Sequence, residues 1–130
     1  MDFKKIDQEV DEIASKVVDA AFKVHKNLGP GLLENAYELC LLHELKQKGL
    51  KIQRQVAVPL VYEGVEIPVG FRADVIVEGR IILEIKAVET LLPIHEAQIL
   101  TYLKLANKRL GFLINFNVRF FKNAIQRIAL

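Results

Sequence analysis

One cysteine, one methionine and no tryptophan occur in 130 residues. A lone thiol, Cys40, excludes a disulfide framework and a thiolate zinc site, and its place in an apolar helical stretch marks it as buried filler. No stretch approaches the roughly 18 apolar residues of a membrane span. The first residues, Met1-Asp2-Phe3-Lys4-Lys5-Ile6-Asp7, are charged where a secretory signal needs an apolar segment. These absences lead us to expect a soluble, cytoplasmic protein with no membrane partner. The phosphate-cradling G-x-x-x-x-G-K-[ST] loop, the G-x-G-x-x-G dinucleotide turn and the G-x-S-x-G elbow are also missing, which removes the main signals for P-loop hydrolysis, dinucleotide binding and serine hydrolysis. Neither repeats nor linkers break the chain, and a hydrophobic fraction of 52% is ample for one core, so residues 1–130 read as a single domain.

Acidic residues are missing from the last part of the chain. After Glu96 there is none, while Lys104, Lys108, Arg109, Arg119, Lys122 and Arg127 follow, within a net charge of only +2. One-sided positive charge is what a polyanion binder needs; a solvated basic face is the plainer reading of the same residues.

The apolar positions Ile6, Val10, Ile13, Val17, Ala21, Val24 and Leu28 recur at steps of three and four, which predicts an amphipathic helix over about 4–27, ended by Gly29-Pro30-Gly31. Leu33, Tyr37, Leu41 and Leu45 predict a second helix over 32–48, stopped by Gly49. The period then changes to that of strands: 53–62, 65–77 and 81–88, with turns at Glu63-Gly64 and near Gly79. Pro59 and Pro68 make the first hairpin peripheral, because proline cannot donate to a ladder. A helix over 94–107 and a short buried strand over 110–115 follow, and the tail 118–130 is ambiguous. The order ααβββαβ implies an α/β or α+β sandwich, helices flanking a mixed sheet.

Chemistry concentrates in the second hairpin. Glu84 and Lys86 are two apart and share one face of their strand, while Ala73, Val75 and Val77 form an apolar row that leaves Asp74 opposite. Strand parity decides whether these groups meet. A two-residue turn pairs 77 with 80 and sets Asp74 and Glu84 on opposite faces; a three-residue loop over 78–80, or a bulge, pairs 77 with 81 and 74 with 84. Joint burial of Val75, Val77, Ile81, Leu83 and Ile85 favours the odd loop. Two adjacent carboxylates repel unless a cation shares them, and magnesium suits hard oxygen ligands while accepting phosphate oxygens. Lys86 would then offset charge developing on a phosphate or help hold the attacking water. An ordinary solvent-facing strand with neighbouring Glu and Lys is the alternative.

Asp74 followed by Glu84-Ile85-Lys86 resembles the D…(D/E)-x-K signature of the PD-(D/E)xK, restriction-endonuclease-like nucleases. Gly31-Leu32-Leu33-Glu34-Asn35-Ala36-Tyr37 resembles the motif of the small GxxExxY family placed within them. The stretches 24–31, 92–98 and 113–116 are similar to that family as well. The resemblance implies a restriction-endonuclease-like core, with metal carboxylates at Glu34, Asp74 and Glu84, the lysine at Lys86, a helix glutamine at Gln98 and Tyr102 one turn on. Ala73 stands where the family has proline.

Several of these residues have simpler explanations. Glu34 also suits a helix N-terminus by charge alone, worth about 0.3–1 kcal/mol. Tyr37 faces the same side as Glu34 and reads either as a substrate contact or as a core aromatic with a satisfied hydroxyl. Gln98 and Tyr102 share a helix stripe, available for orienting a water or phosphate or simply for packing. His25 and His95 lack a second ligand at zinc spacing and read as structural. The expectation is a Mg2+- or Mn2+-dependent nuclease cutting phosphodiester bonds of nucleic acid, DNA in the first instance. The competing expectation is a nuclease-fold module without turnover that binds nucleic acid or a protein partner. A chain this short could obtain its grip from a homodimer or a larger partner.

Overall fold

A computed structural model describes residues 6–130. Helix α1 (Gln8–Leu28) begins four residues later than its apolar pattern suggested, because the Asp7 side chain accepts the Val10 N–H at 2.9 Å and caps it there. Positions 4 and 5 of the expected helix lie outside the described residues. Helix α2 (Glu34–Gln47) follows the Gly29-Pro30-Gly31 break. Strands β1 (Ile52–Tyr62), β2 (Val65–Val77) and β3 (Ile81–Lys86) come next, then helix α3 (Pro93–Ala106), strand β4 (Leu110–Asn115), a 3-10 turn at Phe121–Asn123 and strand β5 (Ile125–Ala129).

The strands form one five-stranded sheet in the order β1-β2-β3-β4-β5, antiparallel except for the β3–β4 pair. Parallel neighbours need a crossover, and α3 supplies it. Helices α1 and α2 pack on one face over Val75, Val77, Ile81, Leu83 and Ile85. Helix α3 covers the other face through Ile99, Tyr102 and Leu103, against Ala73, Ile76 and Ile82. With both faces covered, β3 and β4 are buried almost throughout and show the continuous apolar run typical of central strands. The first hairpin is peripheral as its prolines required: β1 is an edge strand, and its register slips between Val58 and Leu60, around Pro59.

The odd loop is present. Val77 pairs with Ile81, Ile76 with Ile82 and Val75 with Leu83. Glu78 and Gly79 both take positive φ, 52° and 64°, and Arg80 donates its N–H to Val77 O at 2.9 Å. A two-residue left-handed turn is thereby extended by Arg80 to three residues, and the face of the returning strand is set by that extra residue.

Alternation along β2 departs from the pattern read in the sequence. Ala73 lies in the α3-side cluster with Ile76, whereas Val75 and Val77 belong to the α1/α2 side. The single row Ala73-Val75-Val77 is therefore broken at Asp74, where β2 parts from β3. Gln55, which the flanking pairs place opposite Asp74, has φ 52°. The local chain turns at the site.

Close packing of the crossover falls on Gly111 of β4. A Cβ there would stand 2.9 Å from Ile99 Cδ1 and 3.0 Å from the Ile82 carbonyl oxygen. Because one of those neighbours is backbone in the adjacent strand, Gly111→Ala is expected to cost about 1–3 kcal/mol in chemical denaturation. Unchanged stability would show that α3 can slide without loss.

Candidate active site

Asp74 and Glu84 face each other at the fork between β2 and β3, and their side chains occupy hydrogen bonds that the interrupted ladder leaves open. The Asp74 N–H donates to Glu84 Oε2 at 3.3 Å, and the Ile85 N–H donates to Asp74 Oδ2 at 2.8 Å. Each carboxylate is thus fixed to the other strand's backbone. Glu84 is only 4% exposed, and Asp74 is half-buried.

Burial is the main reason that the Glu84 carboxyl is pushed up to about 9; its hydrogen bond to the Asp74 side chain and the Asp74 charge add to it. The Asp74 N–H and the charge of Lys86 act the other way. At neutral pH the pair therefore holds a proton when no cation is present. A central strand has no structural need for an acid flanked by Leu83 and Ile85, and such a buried group with a raised carboxyl points to chemistry.

Lys86 ends β3, two residues after Glu84 and half-buried. The chain immediately beyond it is held by Asn115, which is 1% exposed. Its Nδ2 donates to Val88 O at 2.9 Å, and its Oδ1 accepts the N–H groups of Val88 at 3.1 Å and of Asn117 at 3.2 Å. An amide side chain thus replaces the next ladder rung, which is why the strand expected to reach Val88 stops at Lys86.

Glu34 is the first residue of α2 and is exposed, yet it senses the site. Its carboxyl is raised, first by desolvation and then by the charges of Asp74 and Glu38, with Lys86 opposing. Glu38, one turn further on, is buried at 5% and receives Arg54 Nε at 2.6 Å and Gln55 Nε2 at 3.2 Å. Arg54 also reaches Asn35 Oδ1 at 3.0 Å. This polar knot ties the start of α2 to β1 opposite Asp74, so it fixes where Glu34 stands. Sequence reasoning did not single out Glu38, Arg54 or Gln55; the i, i+4 spacing of Glu34 and Glu38 was the one local signal available.

On the α3 side, Gln98 Nε2 donates to the Tyr102 hydroxyl at 3.1 Å. Burial pushes the Tyr102 phenol up, with the charges of Glu84 and Asp74 contributing, so this hydroxyl stays protonated beside the carboxylates. Gln98 itself is exposed.

Tyr37 is placed elsewhere and does another job. It is fully buried, stacks on Phe116 with centroids 4.8 Å apart, donates its hydroxyl to Gly29 O at 2.6 Å and accepts Leu32 N–H at 3.1 Å. With its hydroxyl engaged on both sides it fastens the loop before Glu34 and offers no group to a substrate in this arrangement. Tyr37→Phe is expected to lower stability by about 1–2 kcal/mol in urea denaturation, since Gly29 O and Leu32 N–H lose their partner. The histidines are structural as read: His25 Nε2 donates to Val118 O at 2.6 Å, and His95 Nδ1 accepts Leu92 N–H at 3.0 Å in the α3 capping box.

Three of the basic residues after Glu96 have partners of their own. Arg127 pairs with Asp11 on α1, and Arg109 bonds Leu130 O at the start of β4, the end away from Asn115. Arg119 lies over the Phe120 ring.

Among the described residues no group of three or more His, Cys, Asp or Glu side chains is disposed to hold a metal ion. The donor set still fits a hard divalent cation. Asp74 and Glu84 provide paired oxygens without imidazole or thiolate, and magnesium is commonly held by one or two carboxylates with the remaining positions left to water and phosphate.

A mixed sheet covered by helices on both faces, with an Asp and a Glu-x-Lys meeting at a strand fork, defines a restriction-endonuclease-like α/β fold. The chain belongs to the PD-(D/E)XK nuclease superfamily, whose family model matches residues 11–128. No curated protein and no solved structure matches the chain. Among the described residues no helix is long and apolar enough to cross a membrane.

Proposed function

We propose that the protein is a divalent-metal-dependent nuclease that hydrolyses phosphodiester bonds in DNA. The observation that carries this reading is the Asp74–Glu84 pair, each carboxylate bonded to the other strand's backbone, with Lys86 two residues after Glu84 at the end of β3. Asp74 and Glu84 would hold Mg2+ or Mn2+, with Glu34 contributing through a water or directly. The cation supplies Lewis acidity toward a phosphate oxygen and a more acidic bound water. Lys86, at the same strand end, offsets negative charge that grows on the phosphate as the water attacks. Gln98, hydrogen-bonded to Tyr102, and the protonated Tyr102 hydroxyl would orient substrate oxygens. We further assign the chain to the GxxExxY family on Gly31, Glu34 and Tyr37, and place it in the cytoplasm. A second copy or a larger partner would add the nucleic-acid grip that the scattered basic residues do not provide.

Purified protein is incubated with single-stranded, duplex and branched DNA plus magnesium or manganese. Cleavage is expected with metal, absent with chelator, and lost in Asp74→Ala and Lys86→Ala. Cutting by either variant at the wild-type rate rejects this site, and no cutting of any substrate rejects the reading in favour of a binding module without turnover.

A further inference from the structure

Beside the carboxylate pair, between β2 and α3, an open groove of about 280 Å³ is lined by Phe71, Ile94, Ala97, Gln98, Thr101 and Tyr102. It carries no charged side chain. It adjoins the site through Tyr102, which packs in one cluster with Ala73 beside Asp74, and through Phe71, three residues before Asp74 on β2. The Phe71 and Tyr102 rings stand 6.0 Å apart at 51°, and Ile94, also lining the groove, is 66% exposed. The volume is just below the roughly 300 Å³ at which pockets for drug-sized ligands begin, so what enters the groove is of the size of one flat heterocycle.

Charge points the same way. None of the six side chains lining the groove carries a charge to meet a phosphate. Binding strength near the reacting phosphate then falls to apolar and aromatic surface. Stacking on aromatic side chains needs a base whose face is free, and a paired base inside a helix has none.

We propose that this groove takes the base of an unpaired nucleotide next to the scissile phosphate, so that the substrate class is single-stranded or frayed nucleic acid. This rests on the phosphodiesterase reading of Asp74, Glu84 and Lys86. The Gln98 amide, at the groove wall, is a polar group available to the base edge, and the Phe71 ring is the stacking surface.

The test separates binding from cleavage. A single-stranded oligonucleotide carrying one fluorescent purine analogue, a blunt duplex of the same sequence, and a single strand with one abasic position are titrated with protein in chelator, then used as substrates with magnesium or manganese. Single strand is expected to bind at least roughly 10-fold tighter than duplex, with a change in analogue fluorescence on stacking. Phe71→Leu removes the ring, and Ala97→Phe fills the groove from an exposed helix position without removing core contacts. Each is expected to weaken single-strand binding roughly 10-fold while leaving the abasic strand, compared at the cleaved position, unaffected. Equal binding of duplex and single strand, or loss in both variants that is the same on the abasic strand, overturns the groove assignment. A groove-dependent preference without any cleavage would support the groove and reject the nuclease reading; cleavage that ignores both variants would do the reverse.

Discussion

Glu84→Gln is expected to make the metal-free protein more stable at pH 8 while abolishing cleavage. The Glu84 carboxyl is raised to about 9 in the folded protein, from an ordinary value near 4.5. Below that ordinary value both folded and unfolded chains hold the proton, and the group costs nothing. As pH rises, the unfolded chain releases its proton first while the folded chain must keep it, so stability falls across the window from about 4.5 to about 9. A glutamine does not titrate. Its carbonyl can still accept the Asp74 N–H, and its amide can donate to the Asp74 carboxylate, so the local bonds survive. The gain at pH 8 should be on the order of a few kcal/mol, or roughly 5–10 °C in melting temperature for a chain of this size. Magnesium should narrow or reverse the difference, because a cation bound by Asp74 and Glu84 stabilises the wild type by mass action and loses an anionic ligand in the variant. Thermal melts from pH 5 to pH 9, with chelator and with magnesium, read both effects. A variant less stable than wild type at pH 8 in chelator would show that Glu84 is anionic and well solvated there.

That penalty is tolerated where the fold is strongest. Glu84 sits on a strand covered on both faces, between Leu83 and Ile85, and Asp74 sits where β2 leaves it. The rigid neighbours hold two carboxylates together that would separate on a flexible loop. A site built this way would be ready for the proposed cation before it arrives.

Much of this could be read from residue order because it rests on local rules. Strand parity and the left-handed Glu78-Gly79 turn set which way Glu84 points, and both are visible in a ten-residue stretch. The break at Asp74 was not legible. Ala73, Val75 and Val77 look like one apolar row, and only the parting of β2 from β3 sends Ala73 to the α3 side. Glu34, Gln98 and Tyr102 entered through family resemblance, since nothing in helical spacing places the first residue of α2 near a strand forty residues away. Glu38 and Arg54 were missed for a related reason: in an amphipathic helix and an alternating strand each looks like a solvated charge, and their ion pair exists only after packing. Tyr37 shows the converse, a motif residue whose place in the chain suggests contact with substrate but whose hydroxyl is used up inside the fold. The tail was ambiguous because β5 buries only Ile128 fully among its residues; it is defined by pairing with β4 rather than by its own pattern.

Asn115→Asp is expected to destabilise the protein strongly at neutral pH and little in acid. The two side chains have nearly the same shape, so packing against the end of β4 is preserved. What changes is hydrogen-bond sense: a carboxylate accepts the Val88 and Asn117 N–H groups as before but cannot donate to the Val88 carbonyl, which now faces a negative oxygen. Burial at 1% exposure adds a desolvation penalty. The loss should be about 2–4 kcal/mol near pH 7.5, of which one to three is the unpaired carbonyl and the rest the buried charge. The introduced carboxyl would titrate above an ordinary aspartate in the folded state, so its penalty is absent below about pH 4 and grows as pH rises. Once protonated, its O–H can donate to Val88 O and restore the rung. Asn115→Ala separates the two effects, since it loses the bonds at every pH and gains no charge. A pH-independent loss in Asn115→Asp equal to that in Asn115→Ala would mean that the charge escapes to solvent. The functional consequence follows from position: Asn115 holds the chain just beyond Lys86, so a loosened rung should lower the cleavage rate more than substrate affinity, by moving Lys86, whose charge reaches Glu84, away from the phosphate it would meet.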